Sequence, residues 1–194
     1  KRRFSFIGFL KLVRFPNLLI IGFTQYFAAM FLVARPAQRM DVFMDFNLFL
    51  LVISTLLIAA AGYIINDYYD IKIDYVNKPD RVVVGKLIRR RIVLASHWTL
   101  NLLGISAGLY LSIYIGIVNF VAGFLLWLYS NQLKRLPFIG NFVIALLTAS
   151  PLLVIAIYYR QNVHLLMNYA IFAFSINLIR EIIKDMEDLR GDMR

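Results

Sequence analysis

The sequence predicts an all-α protein, a polytopic bundle of transmembrane helices. Three observations predict it. Apolar residues make up 61% of the 194-residue chain and charged residues only 16%, where soluble domains run at about 45–50% and about 25%. Mean hydropathy is +0.72. The apolar residues also gather into about six stretches, each near the ~20 residues that a helix needs to cross a bilayer. Backbone amides in hydrocarbon must bond within their own segment, so runs of this length fold as helices rather than barrel strands.

The first stretch, 17–34, follows a basic segment with Lys1, Arg2, Arg3, Lys11 and Arg14. It is too long for a signal-peptide core and has no small-x-small cleavage site, so it is expected to be retained. The second, 47–66, runs straight into a carboxylate-rich segment and then into Lys72, Lys78, Arg81, Lys86, Arg89, Arg90 and Arg91. The third and fourth, 93–111 and 113–130, almost fuse around Leu111–Tyr114, which demands a very tight turn. Lys134 and Arg135 precede the fifth, 138–158, and Arg160 follows it. The sixth, 165–184, leads into Arg180, Lys184, Arg190 and Arg194.

This alternation leaves Arg35, Arg39 and Arg160 on one side of the membrane and the other 18 of the 21 Lys and Arg on the opposite side. The positive-inside rule makes the basic side cytoplasmic and puts both ends of the chain there, in a plasma (inner) membrane. Residues 1–194 read as one transmembrane domain. The net charge of +10 is spread between apolar spans, which argues against a nucleic-acid partner. With no cysteine, disulfides, thiolate metal sites and thiol nucleophiles are excluded, and two histidines leave little for haem.

Of eleven acidic residues, only Asp41 and Asp45 fall on the non-cytoplasmic side. Asp67, Asp70 and Asp74 stand at i, i+3 and i+7 where the second stretch ends, with Asn66 one turn before Asp70. Asp185, Asp188 and Asp192 repeat that spacing where the sixth stretch ends. On a helix each triplet shares one face, and its like charges repel. One reading is two solvated helix ends paired with neighbouring Lys and Arg. The other is a hard cation: Mg²⁺ takes oxygen ligands and commonly bridges one or two carboxylates to substrate phosphates. Two such faces across a cavity could hold Mg²⁺ around a diphosphate, and a diphosphate at the mouth of an apolar bundle suggests a lipid diphosphate substrate. The aromatic content of 15% is compatible with rings lining a path for an allylic carbocation, and equally with packing and interfacial belts.

At this point the sequence resembles the UbiA-type superfamily of intramembrane prenyltransferases. Asn66, Asp67, Asp70 and Asp74 match every position of the signature N-D-x-x-D-x-x-x-D, and Asp188 and Asp192 match D-x-x-x-D, extended upstream by Asp185. Asn77-Lys78-Pro79-Asp80-Arg81 looks like the family's N-x-P-x-R segment, with Gly85 near its usual place. Arg14-Phe15-Pro16-Asn17, Tyr129-Ser130 and Lys134-Arg135 add weaker matches.

The resemblance implies Mg²⁺-dependent transfer of a prenyl group from its diphosphate. It implies Asn66, Asp70, Asp188 and Asp192 as metal ligands. Asp67, Asp74 and Asp185 would be further carboxylates at the reaction centre, Asp74 being a candidate to take the acceptor's proton. Arg81 and Lys134 would contact the diphosphate, Arg14 and Asn17 the acceptor, and the segment from 75 to 91 would cap the site. The family's bundle has about nine helices of ~20 residues, so the C-terminal helices are expected to lie outside this sequence and the isolated chain to be inactive.

The second signature looks most like the branch that attaches geranylgeranyl to geranylgeranylglyceryl phosphate, a phosphate-bearing lipid acceptor. Aromatic acceptors of quinone biosynthesis are the alternative. A cation transporter with intramembrane carboxylates, or a non-catalytic membrane subunit, are more distant readings.

Overall fold

The computed structural model describes residues 5–77, 82–136 and 138–192. Ser5 caps the first short helix, α1 (Phe6–Leu12), its Oγ accepting from the Gly8 amide at 3.1 Å. Arg14, at φ 51°, turns the chain into α2 (Phe15–Phe27), where Pro16 sits in the first turn and its missing amide has no intrahelical partner to lose. A π-helical turn, Ala28–Val33, completes this span. A 3₁₀ turn, Pro36–Gln38, and α3 (Arg39–Phe43) lead to α4 (Phe46–Tyr69), capped by the Asp45 carboxylate, which accepts from the Asn47 amide at 2.9 Å. Then come α5 (Ile71–Asn77), α6 (Arg90–Leu111), α7 (Ile113–Asn131), a 3₁₀ turn at Leu133–Arg135, α8 (Ile139–Tyr159) and α9 (Val163–Asp192).

Six of these spans are long and apolar enough to cross a membrane. Among the described residues there is no strand beyond an isolated bridge between Val84 and Ile88. The chain is an all-α integral membrane protein, as its composition requires. The tight turn falls on Ser112 alone. Its amide donates to the Gly108 carbonyl at 2.9 Å, ending α6, while its Oγ accepts from the Tyr114 amide and opens α7. α4 and α9 run past their apolar stretches into the carboxylate segments. Hydropathy reports the thickness of hydrocarbon, whereas a helix can continue into water.

Lipid tails are as apolar as leucine, so helix association rests on close approach and on hydrogen bonds. α4 is the central helix, burying Leu48, Leu51, Ala61, Ile64 and Ile65. Where α6 meets α7, a Cβ on Gly108 would stand 2.6 Å from Asn119 Nδ2 and 3.3 Å from the Gly116 Cα, so glycine there lets the two helices approach closely. Asn119 of α7 donates to the Gly104 carbonyl of α6 at 3.0 Å, and buried His97 of α6 bonds the Ala61 carbonyl of α4 through Nδ1 at 2.9 Å. Gln25 ties three helices, its Nε2 donating to Thr55 Oγ1 at 3.1 Å and to the Pro151 carbonyl at 3.2 Å. Pro151 has no amide for the Leu147 carbonyl; the Ser150 hydroxyl donates to it instead, at 2.7 Å.

The connection before α6 does not hang free. Val83, Val84 and Ile88 are buried in one cluster with Leu12, Val13, Ile64 and Val93. Gly85 makes the turn possible at φ 84°, its amide donating to the Ile88 carbonyl at 2.8 Å. This pins residues 82–88 over the ends of α1 and α4, beside the first carboxylate cluster.

Candidate active site

The carboxylates of the first signature lie where α4 gives way to α5. Asp70 ends α4 at φ −85° and ψ 0°, yet its amide still bonds the Asn66 carbonyl and its carbonyl accepts from the Asp74 amide. The helical path therefore continues, and the three carboxylates keep roughly one face. They do not converge on one cation. Asp70 accepts from Asn66 Nδ2 at 3.0 Å through one oxygen and pairs with Lys134 through the other. Asp67 pairs with Arg14 at 3.2 Å. Repulsion within the triplet is relieved by two basic residues from separate elements, one from the α1–α2 turn and one from the 3₁₀ turn after α7.

The end of α9 faces this assembly. Asn141, in the first turn of α8, donates to Asp185 at 2.7 Å. Glu181, one turn before Asp185, extends the acidic face and lies 3.5 Å from Lys184. Lys134, in the 3₁₀ turn after α7, and Asn141, in the first turn of α8, belong to one connection. That connection thus contacts both carboxylate clusters, at Asp70 and at Asp185, which lie far apart in the sequence.

Two cavities lie near these residues. A cleft of about 730 Å³ is lined by Lys11, Arg14, Asp67 and Asp74, with Val82 and Val83 over it. A cavity of about 480 Å³ runs between α2, α4, α7 and α8, lined mostly by apolar side chains such as Ile58, Leu126 and Val154. Asn17, Tyr63 and Arg180 also line it. The Arg14 guanidinium lies 5.0 Å from the centre of the Tyr63 ring, so this pair stands between the charged cleft and the apolar cavity.

Of the residues singled out by the sequence, the structure brings together Arg14 with Asp67, and Asn66 with Asp70 and Lys134. Asp74 joins Asp67 and Arg14 in the cleft, and Asn17 lies in the cavity. Asp185 bonds Asn141. Arg81 lies outside the described residues. Asp188 and Asp192 lie on the last turns of α9, with their side chains outside the described part. Glu181 and Asn141 were not among the expected site residues. Glu181 stands at i−4 from Asp185, so its place on the acidic face follows from the spacing; nothing local marks Asn141.

Among the described residues, no three carboxylate or imidazole groups close on a single point. Such a set, all oxygen and spread over facing helix ends, could hold a hard divalent cation that draws its remaining ligands from water and from a substrate phosphate.

Fold and site together define a polytopic membrane protein with a carboxylate-lined, cation-bridged mouth above an apolar cavity. The chain belongs to the UbiA prenyltransferase family, whose model matches residues 22–194. It is 33% identical over 186 residues to the digeranylgeranylglyceryl phosphate synthase of Methanoregula boonei, covering 95% of this chain and 64% of that protein. Against the enzyme of the same name from Pyrococcus abyssi it is 39% identical over 135 residues, 70% of this chain and 48% of that one. A solved structure of digeranylgeranylglyceryl phosphate synthase superposes with a TM-score of 0.79 at 28% identity, covering 96% of this chain and 64% of the other. The chain thus spans about half to two thirds of the length of these relatives.

Proposed function

We propose that the protein moves a geranylgeranyl group from its diphosphate to geranylgeranylglyceryl phosphate, in a Mg²⁺-dependent reaction within the plasma membrane. The observation that carries this reading is that the connection from α7 to α8 contacts both carboxylate clusters, Lys134 pairing with Asp70 and Asn141 donating to Asp185, beside an apolar cavity. The relatives' name and the family support the class of reaction and a glyceryl phosphate product. The 18-to-3 partition of cations supports a mouth on the cytoplasmic side.

In this reading Asn66, Asp70, Asp188 and Asp192 would hold Mg²⁺, with Asp67, Asp74 and Asp185 as further carboxylates at the reaction centre. When bound, the metal neutralises the diphosphate and so eases departure of the leaving group. The chain's own part is positional and electrostatic. The prenyl tail lies in the apolar cavity, and Lys134 adds positive charge where the diphosphate leaves with the bonding electron pair. Aromatic rings such as Tyr63 face the allylic cation. The acceptor hydroxyl then bonds the allylic carbon and gives its proton to a carboxylate at the mouth, Asp74 being the candidate. Val82 and Val83, over the cleft, keep water from the cation.

The test is an assay of the full-length protein in detergent with Mg²⁺ and labelled geranylgeranyl diphosphate. Geranylgeranylglyceryl phosphate is offered in one arm and aromatic quinone precursors in others. Product with the glyceryl phosphate alone, lost with EDTA and in Asp70→Ala and Asp188→Ala, is the expected result. Product only with an aromatic acceptor overturns the acceptor assignment. No product with any acceptor overturns prenyl transfer itself.

A further inference from the structure

We propose that the buried Gln25 side chain forms the floor of the apolar cavity and limits the donor's tail to four isoprene units. The proposal rests on the prenyl-transfer reading above and names the residue that sets its chain-length specificity.

α2 and α8 begin at the carboxylate mouth, where Arg14 meets Asp67 and Asn141 meets Asp185, whereas α4 and α7 end there. Chain direction therefore ranks the lining residues of the 480 Å³ cavity by depth. On α2 they are Asn17, Ile20 and Ile21, and Gln25 stands one turn deeper than Ile21. Thr55 is the deepest on α4. Gln25 is fully buried, and its Nε2 donates to Thr55 Oγ1 at 3.1 Å and to the Pro151 carbonyl at 3.2 Å. Thr55 and Pro151 both line the cavity, so the carboxamide is tied across its deep end. Beyond that level the bundle is filled: Leu51, Val52, Ile115 and Ile155 pack in one cluster with Ala28 and Ala29. The hollow half of the bundle and its solid half meet at Gln25.

Stability alone would favour an apolar side chain here. Gln25 Oε1 has no hydrogen-bond partner among the described residues, and an unmet acceptor in an apolar interior is costly. Thr55 does not need the amide either, since its hydroxyl already donates to the Leu51 carbonyl at 3.2 Å. What the two bonds supply is a fixed position for a flexible side chain, across the path of the tail. The depth matches a tail length. From Thr55 to Asp70, where the diphosphate is placed, the helix rises over fifteen residues, about 22 Å. Four isoprene units, extended with C–C bonds of ~1.5 Å, reach about 20 Å. A fifth unit adds about 5 Å and would have to displace Gln25. One turn of α4 rises about 5.4 Å, nearly one isoprene unit. Ala59 lines the cavity one turn above Thr55, so a larger side chain there raises the floor by one unit.

The experiment uses the full-length protein in detergent, with farnesyl, geranylgeranyl and geranylfarnesyl diphosphates in equal amounts. These donors of three, four and five units compete for geranylgeranylglyceryl phosphate, or in a parallel arm for an aromatic quinone precursor, and products are separated by mass. Wild type prefers the four-unit donor to the five-unit one by about tenfold or more, the size expected when a pocket rejects extra apolar carbons. In Gln25→Ala that preference falls by about tenfold. Gln25→Met, which keeps the length without the two bonds, falls between wild type and Gln25→Ala. Ala59→Phe moves the preference to the three-unit donor. Ratios between donors are read, so a general loss of rate or stability does not register, and melting of the unliganded variants shows that they are folded. A folded, active Gln25→Ala with the wild-type ratio overturns the assignment of Gln25. So does a wild type that takes five units as readily as four, or an Ala59→Phe that slows all three donors alike. A wild type that makes no product with any donor in either arm overturns the prenyl-transfer reading instead.

Discussion

Replacing Lys134 by methionine separates two roles of one side chain. Lys134 and Asp70 are paired with only 15% and 20% of their side chains exposed. Breaking a fully buried pair from one side costs about 3–5 kcal/mol, and an exposed pair is worth about 0–1 kcal/mol. At this exposure the pair falls between those limits. Asn66 still donates to Asp70 at 3.0 Å, which keeps the loss from the upper end. A destabilisation of about 2 kcal/mol follows, or about 4–8 °C in melting temperature for a chain of this size. Adding Asp70→Asn removes the orphaned charge and restores most of that loss. Activity obeys a different rule. A preorganised positive group facing the leaving diphosphate is worth about 10²–10³ in kcat, so Lys134→Met loses that factor and the double variant, lacking Asp70 as well, does not recover it. Melting curves and steady-state rates on wild type, both single variants and the double variant decide the matter. If the double variant melts no higher than Lys134→Met, the orphaned carboxylate is not the cause. If Lys134→Met keeps its rate, Lys134 does not act on the leaving group.

Gly104→Ala places a Cβ 2.9 Å from Ile58 Cδ1 and 3.0 Å from the Ser54 carbonyl oxygen. The backbone atom cannot rotate away, so α6 must shift from α4 at a cost of about 1–3 kcal/mol, seen as a lower melting temperature. Ala122→Phe projects a ring into the 480 Å³ cavity. It lowers kcat/KM for geranylgeranyl diphosphate relative to farnesyl diphosphate by about tenfold or more, measured in direct competition between the two donors.

The spans and the acidic helix ends were legible because both are local patterns. A run of apolar residues reports the bilayer, and carboxylates at i, i+3 and i+7 report a helical face. How the charges are shared was not legible, because it depends on contacts between helices. Asp70 and Lys134 are 64 residues apart, and Arg14 and Asp67 are 53 apart. Each pairing needs α1–α2, α4 and α7 to end at the same level, which no periodicity encodes. Asn141 is similar: an asparagine opening an apolar helix carries no sign that it will meet Asp185 on α9. A very tight turn between α6 and α7 was legible around Leu111–Tyr114, since the two spans almost fuse; that it falls on Ser112 alone, and the Gly108–Gly116 approach beside it, were not.

The basic residues show why composition underdetermines a site. Orientation in the membrane counts Lys and Arg by side and is indifferent to where each one points. Three like charges on one helix face are not indifferent: left alone, Asp67, Asp70 and Asp74 would repel one another at the edge of a low-dielectric medium, where screening is weak. Arg14 and Lys134 answer both demands at once. They belong to the cation-rich side, and each is carried by a turn that sets it against a different carboxylate. That division leaves Asp74 in the cleft with Arg14 and turns Asp70 toward Lys134. It also puts the Arg14–Tyr63 contact between charged cleft and apolar cavity. An amphiphile entering such a mouth meets charge before it meets hydrocarbon, so its head is fixed at the helix ends while its chain passes Tyr63. In the proposed reaction, the positive residues that would orient the chain would therefore also set the order in which the parts of a lipid diphosphate are met.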